Sequence, residues 1–382
     1  MINKQHYTYR VNIIPIGSYY FGGERTFNPA DGSRANYFAK GRTIPQQTTI
    51  LGMLRFALLK KFITTTTETP LSVDELIGSH GFNGSKTSYG IIQNISPLFL
   101  QYKNQCLELA GMDWQIYDTG FQKFKFEKTP IKSYLDKVNT KPENIKKFIP
   151  QVLNYNHKKF MYNVWRNNNS PEKSLISEDE IFIPDVRPGN KKSQAGGVSE
   201  KAYYKQERFR LKKGYSFAVY LTSSQELIVD NNNSHSFLIP IGGDNTECRV
   251  DISKIEEGEN HFTTTLKEKH TSDNQQSIRK IILLSDAFIP HETLRKVDFS
   301  INFLSEFRYI QTTNTHANIA QIQKYQSQNT SLPKKSNLLF LLSRGSVLYV
   351  NSGNLQNVIT ELEGNDIYRS IGYNYFRTEI IT

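Results

Sequence analysis

Basic side chains that could bind a polyanion are concentrated in one segment of the chain, residues 187–210. Aromatic rings are interleaved with them at Tyr203, Tyr204 and Phe209. A basic strand or hairpin can follow a nucleic-acid backbone while its aromatic rings stack on bases. The alternative is a solvated hairpin whose tyrosines pack inward. We favour nucleic-acid contact, and the candidate residues are Arg187, Lys191, Lys192, Gly196, Gly197, Lys201, Lys205, Arg208 and Arg210.

A second candidate for anion binding is the junction between a basic loop and a helix, at residues 34–49. A helix that begins near Thr48 would present free backbone N–H groups, and its dipole would favour a phosphate there. The alternative is that Thr48 or Thr49 is only an N-cap and that Arg55 is a surface charge. The candidate residues are Arg34, Lys40 and Arg42 upstream, followed by the neutral donors Gln46, Gln47, Thr48 and Thr49.

A glycine pair, Gly242 and Gly243, lies between two predicted strands. Glycine permits positive φ and a close approach of the backbone to a ligand. A tight hairpin turn requires the same freedom, so the sequence favours neither ligand contact nor a structural turn. We keep both glycines as candidate binding residues.

Residues for acid–base catalysis or metal binding are sparse. The eight histidines are scattered without HxxxH or HD spacing, and only two cysteines, Cys106 and Cys248, accompany them. The nearest histidine to the predicted helix is His80, which reads as a loop residue in the sequence IGSHGFNG. We therefore predict a protein that is not an enzyme and that uses no metal and no cofactor.

Positive charge is unevenly placed along the chain. The net charge is +11, and residues 121–214 alone contain 17 Lys and 4 Arg against 10 acidic residues. The first 61 residues contain 9 basic and 2 acidic residues, and the remaining segments compensate. A polyanion partner explains this placement, although a solvated lysine-rich surface would give the same composition.

Alternation and helical periodicity predict the elements that would position these residues. The helix has Pro45 before it, apolar residues at 50, 51, 54, 58 and 59, and Lys60 and Lys61 at its end. The other expected elements are a strand at 7–20, a glycine-rich basic loop at 21–42, a hairpin at 94–112, a basic loop and then a long strand or hairpin at 185–222, a strand pair at 237–252, strands at 280–289, 340–350 and 371–376, and a helix at 355–362.

The length of 382 residues suits two domains, and both halves mix strands with few helices. We therefore predict an α+β protein. The first domain would span 1–255 and would contain an insertion at about 120–200 and the basic hairpin. The stretch 120–185 is Lys- and Asn-rich and has helical patches. A linker at 256–277 would precede a second domain at 278–382.

Nothing in the sequence suggests export or a membrane span. The start, MINKQHYTYR, lacks the apolar core of a signal peptide. Apolar stretches such as residues 281–289 fall short of the ~20 residues that a membrane span needs. Two cysteines do not make a disulfide framework. We expect a soluble cytoplasmic protein.

The sequence around the predicted helix resembles that of a known family. The strand is followed by FGGERTF (21–27), and the helix reads PQQTTILGMLRFALL (45–59). The residues that correspond to a Ser/Thr followed by a Leu-x-Gly-x-Leu-Arg pattern are Thr49, Leu51, Gly52, Met53, Leu54 and Arg55. Further similarities are PIGGDNTECRV (240–250), SRGSVLYV (343–350) and GNDIYRSIGYNYF (364–376). These stretches are similar to the third subunit of the Cmr module of type III-B CRISPR effector complexes, within the RAMP superfamily. The family's loop prolines are reduced here to Pro45, with Gln46 and Gln47 in place of the others, so the chain resembles a divergent member.

The resemblance implies two ferredoxin-like (RNA-recognition-motif-like) domains with glycine-rich loops, and a thumb-like role for the basic hairpin. It implies a subunit that grips the repeat-derived 5′ tag of a guide RNA and docks on the large polymerase-like subunit. Backbone RAMP subunits would be neighbours, and target RNA would be met indirectly. The alternatives are a RAMP subunit of another type III system, a metal-independent RAMP endoribonuclease that processes precursor guide RNA, and a general single-strand RNA-binding protein.

Overall fold

The computed structural model is a strand-rich α+β protein, which confirms the predicted class. The residues that the structure describes, and to which every structural statement refers, are 6–27, 37–66, 69–85, 88–117, 120–123, 125–127, 149–151, 164–167, 175–192, 198–228, 234–242, 244–256, 259–260, 262, 278–311 and 334–380.

Strands outnumber helices throughout the described ranges. The strands are β1 (Tyr7–Pro15), β2 (Phe21–Phe27), β3 (Tyr37–Arg42), β4 (Ile92–Ile95), β5 (Phe99–Tyr102), β6 (Gln105–Leu109), β7 (Trp114–Tyr117), β8 (Gly120–Lys123), β9 (Lys125–Glu127), β10 (Ile149–Gln151), β11 (Val164–Asn167), β12 (Leu175–Ser177), β13 (Phe182–Lys192), β14 (Val198–Leu211), β15 (Tyr215–Ser223), β16 (Ser234–Ile241), β17 (Thr246–Lys254), β18 (Ile278–Leu283), β19 (Phe299–Ile301), β20 (Leu304–Phe307), β21 (Ile310–Gln311), β22 (Lys334–Lys335), β23 (Leu339–Leu342), β24 (Val347–Asn351) and β25 (Phe376–Ile380). The helices are α1 (Gln47–Leu59), α2 (Val73–Ile77), α3 (Glu178–Ile181), α4 (His291–Leu294), α5 (Ser352–Glu363) and α6 (Asp366–Arg369). None of these helices has the length and apolar character needed to cross a membrane.

The largest sheet has nine antiparallel strands in the order β12-β11-β6-β5-β15-β1-β17-β16, with β4 also paired to β15. Alternation in β1 turns Tyr9, Val11 and Ile13 to one buried face. Helix α1 packs its apolar residues, among them Ile50 and Leu54, into the same core. This packing fixes which face of α1 lies against the sheet.

A four-stranded antiparallel sheet, in the order β19-β24-β18-β25, is formed by residues beyond 278. Helix α5 covers it with Val358, Ile359 and Leu362, which pack in one cluster with Ile281 and Leu348. The Asn351 side chain accepts a hydrogen bond of 3.0 Å from the Asn354 N–H and caps α5. The predicted helix at 355–362 is confirmed and is longer than expected.

The third sheet, in the order β13-β14-β3-β2, corrects two predicted loops. Residues 21–42 contain the hairpin strands β2 and β3, and residues 185–192 belong to strand β13, which pairs along β14. Glycines here serve close strand packing rather than loop freedom. A Cβ on Gly23 would lie 2.8 Å from the Lys40 carbonyl oxygen, and one on Gly41 would overlap the Glu207 carbonyl oxygen.

Several other predictions can be compared with the structure. The hairpin at 94–112 is confirmed as β5 and β6, and the strand pair at 237–252 as β16 and β17. The predicted strand at 371–376 is wrong, because Gly372 and Asn374 have φ of 93° and 61° and β25 begins only at Phe376. The described parts of 120–185 are mainly strands, whereas helical patches were expected. Most of the predicted linker at 256–277 lies outside the described residues, so the domain boundary stays a prediction.

A buried group of charged side chains connects the nine-stranded sheet with the β19-β24-β18-β25 sheet. The Lys280 ammonium lies 2.7 Å from the Asp113 carboxylate, and the two side chains are 2% and 0% exposed. Arg377 donates to Glu108 of β6 at 2.9 Å. Burial alone would raise the pKa of Glu379, but the charges of Lys280 and Arg377 outweigh it and lower that pKa. These pairs compensate charges that burial would otherwise penalise heavily.

Replacing Lys280 with methionine should destabilise the protein strongly, because the Asp113 carboxylate would stay buried without its cation. We expect the free energy of unfolding to fall by ~3–5 kcal/mol, measured by urea denaturation. The control Lys296→Met removes an exposed cation and should change the value by no more than ~0.5 kcal/mol. Equal stabilities for the two variants would contradict this account.

Candidate nucleic-acid interface

The start of helix α1 forms the wall of a surface cleft, which we call the α1 cleft. Three adjoining cavities of about 540, 270 and 530 Å³ make up this cleft, and Gln46 lines all three. Arg42 lines the first two cavities, and Arg308 lines the first and third. Gln46 is also the N-cap of α1, with no hydrogen bond from its side chain to the helix, so the predicted N-cap at Thr48 or Thr49 is wrong.

The first cavity, of about 540 Å³, lies between the β2–β3 hairpin and the segment that contains β20–β23. Gly22 and Gly23 line one side, and Arg308 and Lys335 line the other. Both basic side chains belong to exposed residues. Glycine walls let an extended ligand approach the protein backbone closely, and the opposite wall supplies positive charge.

The third cavity, of about 530 Å³, brings the predicted glycine turn to the helix. Gly242 has a φ of 73° and lines this cavity together with Thr48 and Thr49. A Cβ on Gly242 would lie 3.5 Å from the Phe21 ring. Gly242 therefore fits both interpretations of the glycine pair. It lies in the turn between β16 and β17, and it also lines a cavity that could hold a ligand. Gly243 lies outside the described residues.

Basic side chains outnumber acidic ones in the α1 cleft, and three of them were not among the residues predicted from the sequence. Arg308, Lys335 and Arg344 lie about 250–285 residues beyond the end of α1 in the chain and outside the two segments of charge excess. No local pattern marks them. The only hint was the SRGSVLYV stretch, which contains Arg344. The lining residues are basic at Arg42, Arg55, Arg308, Lys335 and Arg344 and acidic at Asp286 and Glu306.

The first turn of α1 is largely occupied by contacts within the protein. The Gln47 side chain is completely buried and donates a hydrogen bond of 2.8 Å to the Ser96 carbonyl oxygen. The Tyr373 hydroxyl lies beside Thr48. Burial raises the pKa of Tyr373, and the Asp286 carboxylate raises it further, whereas Thr48 opposes the rise. Among the predicted neutral donors, Gln46, Thr48 and Thr49 face cavities, and Gln47 supports the fold.

Arginines upstream and within α1 also make internal contacts. Arg42 donates to the Ser305 hydroxyl at 2.8 Å and to the Glu306 carbonyl oxygen at 2.7 Å, so it ties β3 to β20. Arg55 donates to the Ile77 carbonyl oxygen at 3.0 Å, and burial lowers its pKa. It satisfies the end of α2 and is not a surface charge. Lys40 is exposed, and Arg34 lies outside the described residues.

The basic hairpin, β13–β14, contacts the turn between β16 and β17 through Arg208. This guanidinium donates to the Asp244 carboxylate at 2.6 Å and to the Ser18 carbonyl oxygen at 3.0 Å, and its side chain is 15% exposed. Asp244 follows the glycine turn, and β14 pairs with β3. The structure therefore brings the three predicted places, the hairpin, the helix junction and the glycine turn, next to one another.

The outer part of the hairpin has more exposed charge. Arg187 and Arg210 each have about half of the side chain exposed, and both contact the Asp185 carboxylate, at 2.9 and 3.5 Å. The hydrogen bond from Arg187 lowers the pKa of Asp185. Lys205 is exposed. Lys191, Lys192 and Lys201 belong to strands whose side chains are not described there, and Gly196 and Gly197 lie outside the described residues.

Histidine and acidic side chains are the groups that catalysis or metal binding would need. His80 is exposed, and its Nδ1 atom lies 2.8 Å from the Ser79 hydroxyl. Its neighbour in the chain, Gly81, lines the third cavity. Within the described ranges, no three His, Cys, Asp or Glu side chains come together as a metal site.

The described residues form a strand-rich α+β scaffold with a basic cleft, walled in part by glycines, at the start of a helix. Residues 11–376 match the family model described as CRISPR-associated protein (Cas_Cmr3), and the chain belongs to that family. The resemblance to the third Cmr subunit is thereby confirmed.

Comparison with solved structures gives distant similarity over nearly the whole chain. One is a cryo-EM structure of the type III-B Cmr-beta bound to cognate target RNA and AMPPnP, with 14% identity, a TM-score of 0.44, and coverage of 95% of this chain and 94% of that chain. Another is the type III-B Cmr-beta bound to cognate target RNA, with 15% identity, a TM-score of 0.45 and 96% coverage of both chains. No curated protein matches the chain.

Replacing Arg208 with alanine should lower stability, because this side chain holds the hairpin, Ser18 and Asp244 together. We expect the free energy of unfolding to fall by ~1.5–3 kcal/mol, as for hydrogen bonds to charged groups. Lys205→Ala, on the same strand but exposed, should change it by no more than ~0.5 kcal/mol. If Arg208→Ala were fully stable and impaired only in RNA affinity, the internal role of this arginine would be refuted.

Proposed function

We propose that this chain is a non-catalytic subunit of a type III-B Cmr effector complex that holds the repeat-derived 5′ tag of the guide RNA in the α1 cleft. Membership of the Cas_Cmr3 family supports the choice of complex. The observation that supports the choice of site is the α1 cleft, with Gly22 and Gly23 on one wall and Arg308 and Lys335 on the other.

Exposure separates the basic residues that could meet phosphates from those already bonded. Arg308 has one contact within the described part of the chain, at 3.4 Å to the Ser336 carbonyl oxygen, and Lys335 is exposed. Charged donors are the principal contacts to RNA phosphates. We therefore assign Arg308 and Lys335 the phosphate contacts, and we assign Arg42 and Arg208 mainly to shaping the cleft.

The hairpin β13–β14 would continue the RNA path beyond the cleft. Strand β3 joins the hairpin to the start of α1, because it pairs with β14 and ends at Arg42. Lys205 and Tyr204 are both exposed, so the lysine could contact a phosphate and the tyrosine could stack on a base. This arrangement supports a thumb-like role for the hairpin along a single strand.

Two ferredoxin-like domains are the proposed scaffold. When β18, β19, β24 and β25 are numbered 1 to 4 along the chain, their order across the sheet is 2-3-1-4. Helix α4 follows the first of these strands in the chain, and α5 follows the third. The strands β5-β15-β1-β17 repeat this order, with α1 after β1. A β-α-β-β-α-β unit of the ferredoxin-like type would give this arrangement, and the sheet around β1 lacks its second helix in the described residues.

Partners and location complete the proposal. We expect the chain to dock on the large polymerase-like subunit and on backbone RAMP subunits in the cytoplasm, and to meet target RNA indirectly. Exposed apolar side chains cluster near β20–β23 and support a protein-docking surface there. They are Phe303, Leu304, Ile310, Leu339 and Phe340, with exposed fractions from 36% to 61%.

Removing the exposed charges of the cleft should weaken RNA binding and flatten its salt dependence. Arg308→Gln combined with Lys335→Gln should reduce the log–log salt slope by ~0.7 for each phosphate that the protein no longer neutralises. The measurement is fluorescence anisotropy with RNA that carries the 5′ tag, over a series of salt concentrations.

The matched control is Arg295→Gln combined with Lys296→Gln, which removes the same charge at exposed positions outside the cleft. This pair should leave the slope unchanged. If both double variants lowered the slope equally, binding would reflect net charge and not the α1 cleft.

Incubation with repeat-containing RNA in EDTA tests whether the protein cuts RNA. We expect intact RNA after prolonged incubation, because the proposed role is to hold a strand. Site-specific cleavage that is abolished in His80→Ala would contradict the proposal and favour a metal-independent endoribonuclease. Site-specific cleavage that persists in His80→Ala would also contradict the proposal and would assign catalysis to other residues of the chain.

A further inference from the structure

The SRGS turn, residues 343–346, places an arginine beside the start of α1. Gly345 has a φ of 82°, and its carbonyl oxygen accepts a hydrogen bond of 2.8 Å from the Met112 N–H. The Ser346 hydroxyl donates to the Ser343 carbonyl oxygen at 2.6 Å. These contacts make the turn rigid, so the position of Arg344 is set by the fold.

Arg344 is buried beside one carboxylate and keeps unused hydrogen-bonding capacity. Its backbone N–H donates to Asp286 Oδ1 at 2.8 Å, and its Nε atom lies 3.6 Å from the same oxygen. Arg344 and Asp286 are 8% and 5% exposed. The Nη1 atom of Arg344 is buried and has no hydrogen-bond partner among the described residues. An unpaired guanidinium N–H inside a protein is costly, which points to a missing acceptor.

The second cavity of the α1 cleft, of about 270 Å³, is lined by both residues. Its volume is just below the range of about 300–1,000 Å³ that drug-sized ligands occupy, so it suits a smaller group. Apolar side chains share the lining with polar ones. The apolar lining residues are Ile44, Pro45, Met112 and Phe303, and the polar ones are Arg42, Thr43, Gln46, Asp286, Ser305, Ser343 and Arg344.

We propose that this cavity holds one unpaired nucleobase of the RNA strand that lies in the α1 cleft, and that Arg344 and Asp286 bind its polar edge. The proposal rests on the proposed function. Arg42 and Gln46 line both this cavity and the first one, so a strand in the first cavity passes its mouth. Arg344 donates to an acceptor on the base edge, and Asp286 accepts from an adjacent base N–H.

A base suits this cavity better than a phosphate does. The Asp286 carboxylate lies beside the guanidinium of Arg344 and offsets its charge, so it would repel a phosphate there. Arg42, the other cation that lines the cavity, already donates to Ser305 and Glu306. A base edge carries a donor next to an acceptor, which matches a carboxylate next to a guanidinium. The apolar lining residues would pack against the faces of a base, whereas a phosphate would make no favourable contact with them.

An abasic scan of the RNA tests the assignment on the full chain. Tag-bearing RNAs that differ only in the position of one abasic nucleotide are compared by affinity. For the wild type, we expect one position at which base loss weakens binding about tenfold or more. In Arg344→Gln, intact RNA should bind correspondingly weakly, and base loss at that position should have no further effect.

Two further variants and a second scan make the outcome decisive. Arg295→Gln is the matched control and should keep the wild-type abasic profile. Arg344→Lys keeps the charge without the planar fork and should also lose the sensitive position, which covers the case that Arg344→Gln does not fold. In a parallel scan, one phosphate linkage at a time is replaced by a neutral methylphosphonate. This scan detects a phosphate in the cavity, because loss of that phosphate's charge would weaken binding.

The possible results separate this proposal from the proposed function. Tight binding of tag RNA without any abasic-sensitive position, or with one that persists in both Arg344 variants, would overturn the base pocket and leave tag binding intact. If the Arg344 variants lost sensitivity to a methylphosphonate at one linkage, and not to an abasic nucleotide, the cavity would be assigned to a phosphate. Absence of tag RNA binding by the wild type would overturn both proposals.

Discussion

The position of helix α1 depends on one close contact between three distant parts of the chain. The Gln47 amide nitrogen donates to the Ser96 carbonyl oxygen at 2.8 Å, and Gly372 lies against both. A side chain on Gly372 would overlap the Gln47 amide, so glycine is required there, and its φ of 93° also favours glycine. Because Gln47 is fully buried, the start of α1 is held between the nine-stranded sheet and the C-terminal segment.

This contact explains why the cleft is assembled from remote residues. Because Gly372 lies against Gln47, the loops of the C-terminal segment lie beside the first turn of α1. Arg308 and Arg344 belong to these loops and therefore line the cleft. The ion pairs of Lys280 with Asp113 and of Arg377 with Glu108 connect the same sheets elsewhere. Buried charges of this kind stabilise little by themselves but penalise any arrangement that separates them.

Formal charge in the sequence proved a poor guide to available charge. Arg208 and Arg55 are occupied by carbonyl oxygens and, for Arg208, a carboxylate, so they shape the surface where the strand would lie. Arg308 and Lys335 are exposed on the cleft wall although they belong to segments without charge excess. Buried guanidinium groups must satisfy their donors inside the protein, and this requirement removes many arginines from ligand binding.

The sequence by itself determined the α+β class, helix α1, the β5–β6 and β16–β17 hairpins and helix α5, because hydrophobic periodicity and turn residues are local signals. The same local signals placed Gln46, Thr49 and Gly242 at candidate binding positions, and the structure puts all three on the α1 cleft. Only the tertiary structure decided that 21–42 pairs as strands, since its glycines serve close packing between β2, β3 and β14. It also decided which cations face the cleft, because Arg308, Lys335 and Arg344 reach α1 through contacts across hundreds of residues that no local pattern encodes.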